Sequence, residues 1–160
     1  MRISRIAVLA VLLVSGAAIG SELHLPHHKP GLWENDMVVN GKAQSNQQCF
    51  DDASEQEMLA LSRKHCPSRS VVHNPDGSWT TIGTCEFSPG VTRTSRSDIS
   101  GDFNSKLTIV TQSSGSTIPK VTMTATWLGA CKPGQRGGDT ITASGATVNM
   151  IDLMKSGAVK

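Results

Sequence analysis

The chain has 160 residues, enough for one domain with a real hydrophobic core. Aromatic residues make up only 4% and Tyr is absent, while Thr, Ser and Gly are abundant, which suits a small β-rich domain and argues against a helical bundle. Fifteen Lys and Arg stand against thirteen Asp and Glu; without Arg2 and Arg5, which fall in a segment expected to be removed, the balance is thirteen to thirteen, and no general electrostatic case remains for nucleic acid or an anionic membrane.

Residues 1–20 read as a signal peptide. Arg2 and Arg5 form a positive start, residues 6–19 are apolar or small, and Ala18 and Gly20 are the small residues a signal peptidase reads, so cleavage is expected before Ser21. The apolar run is short for a bilayer span, and no membrane span is expected once it is cleaved. Residues 21–29 form a leader with His24, His27 and His28. Three imidazoles so close are weak candidates for a transition-metal site, but a flexible, solvated tail is the expectation.

The folded body is expected over residues 30–131. It opens on Lys29-Pro30-Gly31-Leu32-Trp33-Glu34, where Pro30 disfavours helix, Gly31 permits a tight entry and Trp33 is a large core element whose N–H needs a partner. Residues 33–39 and 42–50 then read as a hairpin about Asn40-Gly41, which sets Trp33 nearly opposite Cys49. A helix follows. Ser54 and Glu57 have capping-box spacing, Asp51, Asp52 and Glu55 favour its start, Arg63, Lys64 and His65 its end, and Pro67 stops it; Met58, Leu59 and Leu61 give the apolar face.

From Arg69 the pattern is a β-meander. Asn74-Pro75-Asp76-Gly77, Pro89-Gly90 and Ser100-Gly101-Asp102 are turn signals, and residues 113–117 are a Ser/Gly loop. Trp79, Thr81, Gly83, Cys85 and Phe87 share one face of their strand. Val121, Met123, Ala125 and Trp127 alternate with Thr122, Thr124 and Thr126, the clearest period-two signal in the chain. Residues 132–160 begin as a linker, Lys132 to Gly138, and continue either as a hairpin about Ser144-Gly145 or as a short amphipathic helix over residues 148–154; the pattern does not separate the two. The fold class is therefore mainly β: an antiparallel meander of about seven strands forming a curved sheet or partly open barrel, with one short helix packed on it.

Cys49, Cys66, Cys85 and Cys131 are dispersed, even in number and without metal-ligand spacing, so in an exported chain they read as two disulfides. Strand direction favours Cys66–Cys85 across the hairpin at Pro75-Asp76, and Cys49–Cys131 if the last meander strand lies beside the first. The alternative is Cys49–Cys66 with Cys85–Cys131.

Catalytic parts are few. There is no GxSxG, phosphate loop or Rossmann fingerprint, oxidised cysteines offer no thiolate, His65 and His73 are the only His of the body, and Glu34, Glu86, Asp98 and Asp102 are scattered. The chain reads as a non-enzyme without a cofactor. The candidate ligand-lining residues are Trp33, Trp79, Met123 and Trp127, in a binding module for a small apolar ligand. An envelope protein-interaction module, such as an enzyme inhibitor acting through its loops, is the alternative.

The order of several pieces carries a resemblance: the signal peptide, the Lys29–Glu34 stretch, Gln48-Cys49, Cys66, Gly77 with Trp79 and Cys85, Ser100-Gly101-Asp102, and Leu128-Gly129-Ala130-Cys131-Lys132-Pro133-Gly134. In these the chain resembles the proteobacterial exported family known as domain of unknown function 3617 (DUF3617). The resemblance implies a β-rich domain in the periplasm of a Gram-negative bacterium or secreted from it, and brings no activity with it. Gly31-Leu32-Trp33 is also similar to the Gly-x-Trp that opens lipocalin-type barrels, which implies an interior able to hold one small ligand.

Overall fold

The structure is a computed structural model that describes residues 24–39, 41–88, 90–115 and 120–157. The expected signal peptide and its cleavage point lie outside the described residues, as do Asn40, Pro89 and residues 116–119 of the expected turns and loop. The chain runs β1 (Gly31–Val39), β2 (Lys42–Phe50), α1 (Asp52–His65), β3 (Ser68–His73), β4 (Trp79–Ser88), β5 (Val91–Asp102), β6 (Lys106–Ser113), β7 (Lys120–Gly129), β8 (Asp139–Ile141), β9 (Thr147–Asn149) and α2 (Met150–Ser156). All strands join one antiparallel sheet in the order β3-β4-β5-β6-β7-β1-β2-β8-β9.

This is the mainly β, open and curved sheet expected, with nine strands among the described residues rather than about seven and a second short helix. The additional strands come from residues 139–149. They form a hairpin whose first strand pairs with β2, Gln48 opposite Thr140, and the next residues form a helix, so both readings of this segment hold in succession. β7 lies beside β1 in an open sheet. The two bridges are Cys49–Cys131 and Cys66–Cys85.

The curvature is visible in who meets whom. Trp33 of β1, Ile99 of β5, Leu107 of β6 and Ala125 of β7 form one buried cluster with Phe103 of the β5–β6 turn, and Trp79 of β4 packs against it. Strands that far apart share a cluster on the inside of a bent sheet. α1 leaves β2 and delivers the chain to β3 at the far edge, and Cys66–Cys85 fastens the end of that helix to β4.

The opening stretch is locked by its tryptophans. Trp33 Nε1 donates to Lys29 O at 2.9 Å, Trp127 Nε1 donates to Pro30 O at 3.1 Å, and the Lys29 ammonium lies 3.6 Å from the centre of the Trp127 ring. Gly31 sits at φ +139°, where a Cβ would stand 2.2 Å from Gly129 O and 2.5 Å from Trp127 Nε1, so no side chain fits.

Several local expectations need correction. Leu32, not Trp33, is the partner of Cys49, because the hairpin pairs Val39 with Lys42. The capping box is one turn earlier than Ser54–Glu57: Asp51 caps, its carboxylate accepting from Ser54 N at 2.7 Å while Ser54 Oγ accepts from Asp51 N at 3.0 Å. Ser100-Gly101-Asp102 is the end of β5, and the turn is residues 103–105, held by the Asp102 carboxylate accepting from Asn104 N and Ser105 Oγ. Residues 24–29 are not a free tail. Leu25 packs against the core, Lys29 N donates to Phe103 O at 2.9 Å, and His28 stacks on Phe50 with ring centres 4.9 Å apart. An apolar residue and an imidazole that finds aromatic and carboxylate partners outweigh the polar composition of the segment.

Candidate functional site

On β1, alternation turns Trp33, Asn35 and Met37 to the inside of the sheet. Antiparallel register places Asn35 opposite Ala125 and Met37 opposite Met123 on β7, and Ile109 opposite Met123 on β6. α1 and α2 cross this face. Met58 projects from α1, and Met150 and Met154, four residues apart on α2, share one helix face. The result is a groove of about 300 Å³ lined by Met37, Met58, Met123, Met150 and Met154, with Trp33, Phe50, Ile109 and Ala125 as further apolar wall. Its polar lining is Asn35, Asn46, Gln48 and Thr140, and His28 is its only titratable side chain among the described residues.

Every Met of the chain except Met1 is in this groove, and among the described residues no Leu or Val is. Apolarity alone would be met as well by Leu. Thioethers on three rotatable bonds offer a polarizable surface that re-forms around what it contacts.

The four residues expected to line a ligand site divide evenly. Trp33 and Met123 are in the groove; Trp79 and Trp127 are not. Trp79 stacks on His73 with ring centres 4.3 Å apart, and Trp127 is committed to Pro30 and Lys29. Alternation assigns a face of the sheet but not a place along it, and both indoles lie beyond the groove on that face. Sequence reading missed Met37, Met58, Met150 and Met154. The period-two series Trp33-Asn35-Met37 and the i,i+4 pair Met150-Met154 were available signals, but their meeting depends on where the helices cross.

A second, larger cleft of about 800 Å³ lies between residues 24–28, α1 and β3, with Leu25, Leu59, Val71 and Phe103 inside it and Glu55, Arg63 and Arg69 among its polar lining. His28 lines both spaces. Its Nδ1 lies 2.6 Å from Glu55 Oε1, and His27 Nδ1 lies 2.9 Å from Glu55 Oε2. Burial pushes the Glu55 carboxyl up, but the hydrogen bonds and charge of His28, with the hydrogen bond of His27, outweigh it and hold the carboxyl below its usual value. His24 is instead 3.4 Å from the Arg63 guanidinium. The three imidazoles are thus not gathered as a ligand set, and no group of three His, Cys, Asp or Glu among the described residues is placed to hold a metal.

The scattered carboxylates have local partners. Asp98 accepts from Arg96 and Thr80, whose hydrogen bonds hold it below the usual range; Glu34 accepts from Gln47 and Glu86 from Gly90 N. No helix of the described residues is long and apolar enough to cross a membrane.

No curated protein and no solved structure matches the chain. A family model, described as protein of unknown function (DUF3617), matches residues 28–131, from the stacked His28 through the sheet to the bridged Cys131. The chain therefore belongs to the DUF3617 family.

Proposed function

We propose that this protein is a non-catalytic binding module that works outside the cytoplasm, in the periplasm or after secretion, and holds a small apolar ligand in the methionine-lined groove. The observation that carries this reading is the convergence of Met37, Met58, Met123, Met150 and Met154 on one groove with no Lys, Arg, Asp or Glu in its lining among the described residues. A wall of this kind suits an apolar body of adaptable shape, and its few amides and one hydroxyl suit orientation. Two disulfides in a chain of this size support the extracytoplasmic address. The protein-interaction alternative has less behind it: the exposed Val38, Val72, Ile82, Val91 and Leu128 come from different strands, a distribution ordinary for a surface.

The test is titration of the oxidised protein with the neutral apolar dye N-phenylnaphthylamine. Saturable fluorescence enhancement is expected, weakened about tenfold when Met58→Gln and Met154→Gln are combined, both helix-compatible changes that make the wall polar. Absence of saturable enhancement in the parent protein sinks the reading.

A further inference from the structure

Among the described residues, the groove's lining holds one buried side-chain polar atom without a hydrogen-bond partner. Thr140 of β8 lines it, is only 8% exposed, and its Oγ1 is buried with no hydrogen-bond partner among the described residues. Buried hydroxyls without partners are uncommon in native structures and costly, so one at a binding wall points to a partner brought by the ligand. Thr140 shares the groove face with its register partner Gln48, and a turn of about 120° about χ1 carries the hydroxyl to the place held by the methyl or the Cβ hydrogen without backbone change.

The surroundings define the chemistry of that partner. Gln48 is the register partner of Thr140, and its Nε2 faces Met58 Sδ at 3.7 Å, a weak acceptor. The wall made by β2 and β8 thus sets the uncharged polar Asn46, Gln48 and Thr140 beside Phe50, and the opposite wall, Met37, Met123 and Ile109, is apolar. Arg63 and Arg69 line the other cleft, not this one. His28, the one titratable side chain of the lining among the described residues, is already paired with Glu55, so a carboxylate or phosphate placed here would be a buried charge without a cation of its own.

We propose that the groove takes an uncharged single-chain amphiphile, its hydroxyl or amide end at Thr140 Oγ1 and its chain among the methionines. This rests on the reading of the groove as a ligand site. A chain with a neutral polar end satisfies both walls, whereas a pure hydrocarbon leaves Thr140 unpaired and a fatty acid anion is excluded by its charge.

The experiment is calorimetric titration of the oxidised protein with decanol and with decanoate, each below its aggregation threshold, at about pH 8, where the acid is ionised. Decanol is expected to bind at least about tenfold more tightly than decanoate. Thr140→Val keeps the shape and β-propensity and removes the hydroxyl; it is expected to weaken decanol about fivefold to tenfold. Thr140→Ser keeps the hydroxyl and the parent preference, and separates loss of the hydrogen bond from loss of fold. Decanoate binding as tightly as decanol, or decanol affinity unchanged in Thr140→Val, overturns the proposal. If N-phenylnaphthylamine binds but decanol does not, this proposal fails and the apolar-ligand reading stands; if neither binds, that reading fails first and takes this one with it.

Discussion

Two regions of the same concave face solve the same problem differently. At one end Trp33, Ile99, Phe103, Leu107 and Ala125 close into a cluster in which Trp33 and Leu107 have no exposure at all. Towards the helices the same strands present Met37, Met123 and Ile109 to Met58, Met150 and Met154, and a groove remains. Branched and aromatic side chains have few rotamers and fix a shape, whereas thioethers fit many. The packed end holds the sheet's curvature, and the loose end is where that curvature leaves usable space.

The contrast predicts a large difference in mutational cost. Leu107→Ala removes a fully buried side chain from a site hemmed in by aromatic rings, and should destabilise by about 3–5 kcal/mol. Met123→Leu, a near volume-conserving change two positions from Ala125, should cost less than about 1.5 kcal/mol. Chemical unfolding of both variants checks this. Equal costs would mean that the groove is as tightly built as the cluster and would erase the distinction.

The bridges sharpen the same comparison. Cys49–Cys131 spans 82 residues and joins the end of β2 to the segment after β7, across the strands that carry both regions; Cys66–Cys85 spans 19 and holds only the end of α1. On chain entropy the longer loop should contribute about 1 kcal/mol more, within the usual range of about 2–4 kcal/mol per bridge. Replacing each pair by Ala and comparing unfolding midpoints tests the order. A greater loss from the shorter loop would place the main constraint at α1.

Much of the packed end was legible. The meander, its turns at Asn74-Gly77, the helix that Pro67 stops and the core role of Trp33 follow from local chemistry: glycine and proline at turns, charge at helix ends, alternation along β7. The groove was half legible. The pattern puts Trp33 and Met123 on the right face, but it puts Trp79 and Trp127 there with them, because period two gives the face and not the position. The contribution of α2 was hidden, since residues 139–154 carry a hairpin pattern and a helix pattern in tandem and neither is long enough to dominate. Composition makes His28 a tail residue, because its partners, Phe50, Trp33, Phe103 and Glu55, are distant in sequence.

That imidazole stands between the two clefts, and its tether to α1 gives the smallest effect expected. Glu55 accepts from the backbone N–H of His28 at 3.2 Å and meets both His27 and His28 rings. A carboxyl held below its ordinary value of 4.5 binds fewer protons folded than unfolded, so its contribution is fully present above about pH 4.5 and fades as pH falls through the lower folded value. Glu55→Gln keeps size and helix propensity and should cost about 0.5–1.5 kcal/mol at neutral pH. The gap between parent and variant should narrow below pH 4.5. Paired denaturant titrations at neutral pH and in acid read it directly. A gap that widens in acid would show that Glu55 is not the group holding the strap, and that the packing of His28 on Phe50 and Leu25 on the core suffices to keep residues 24–29 in place between the two clefts.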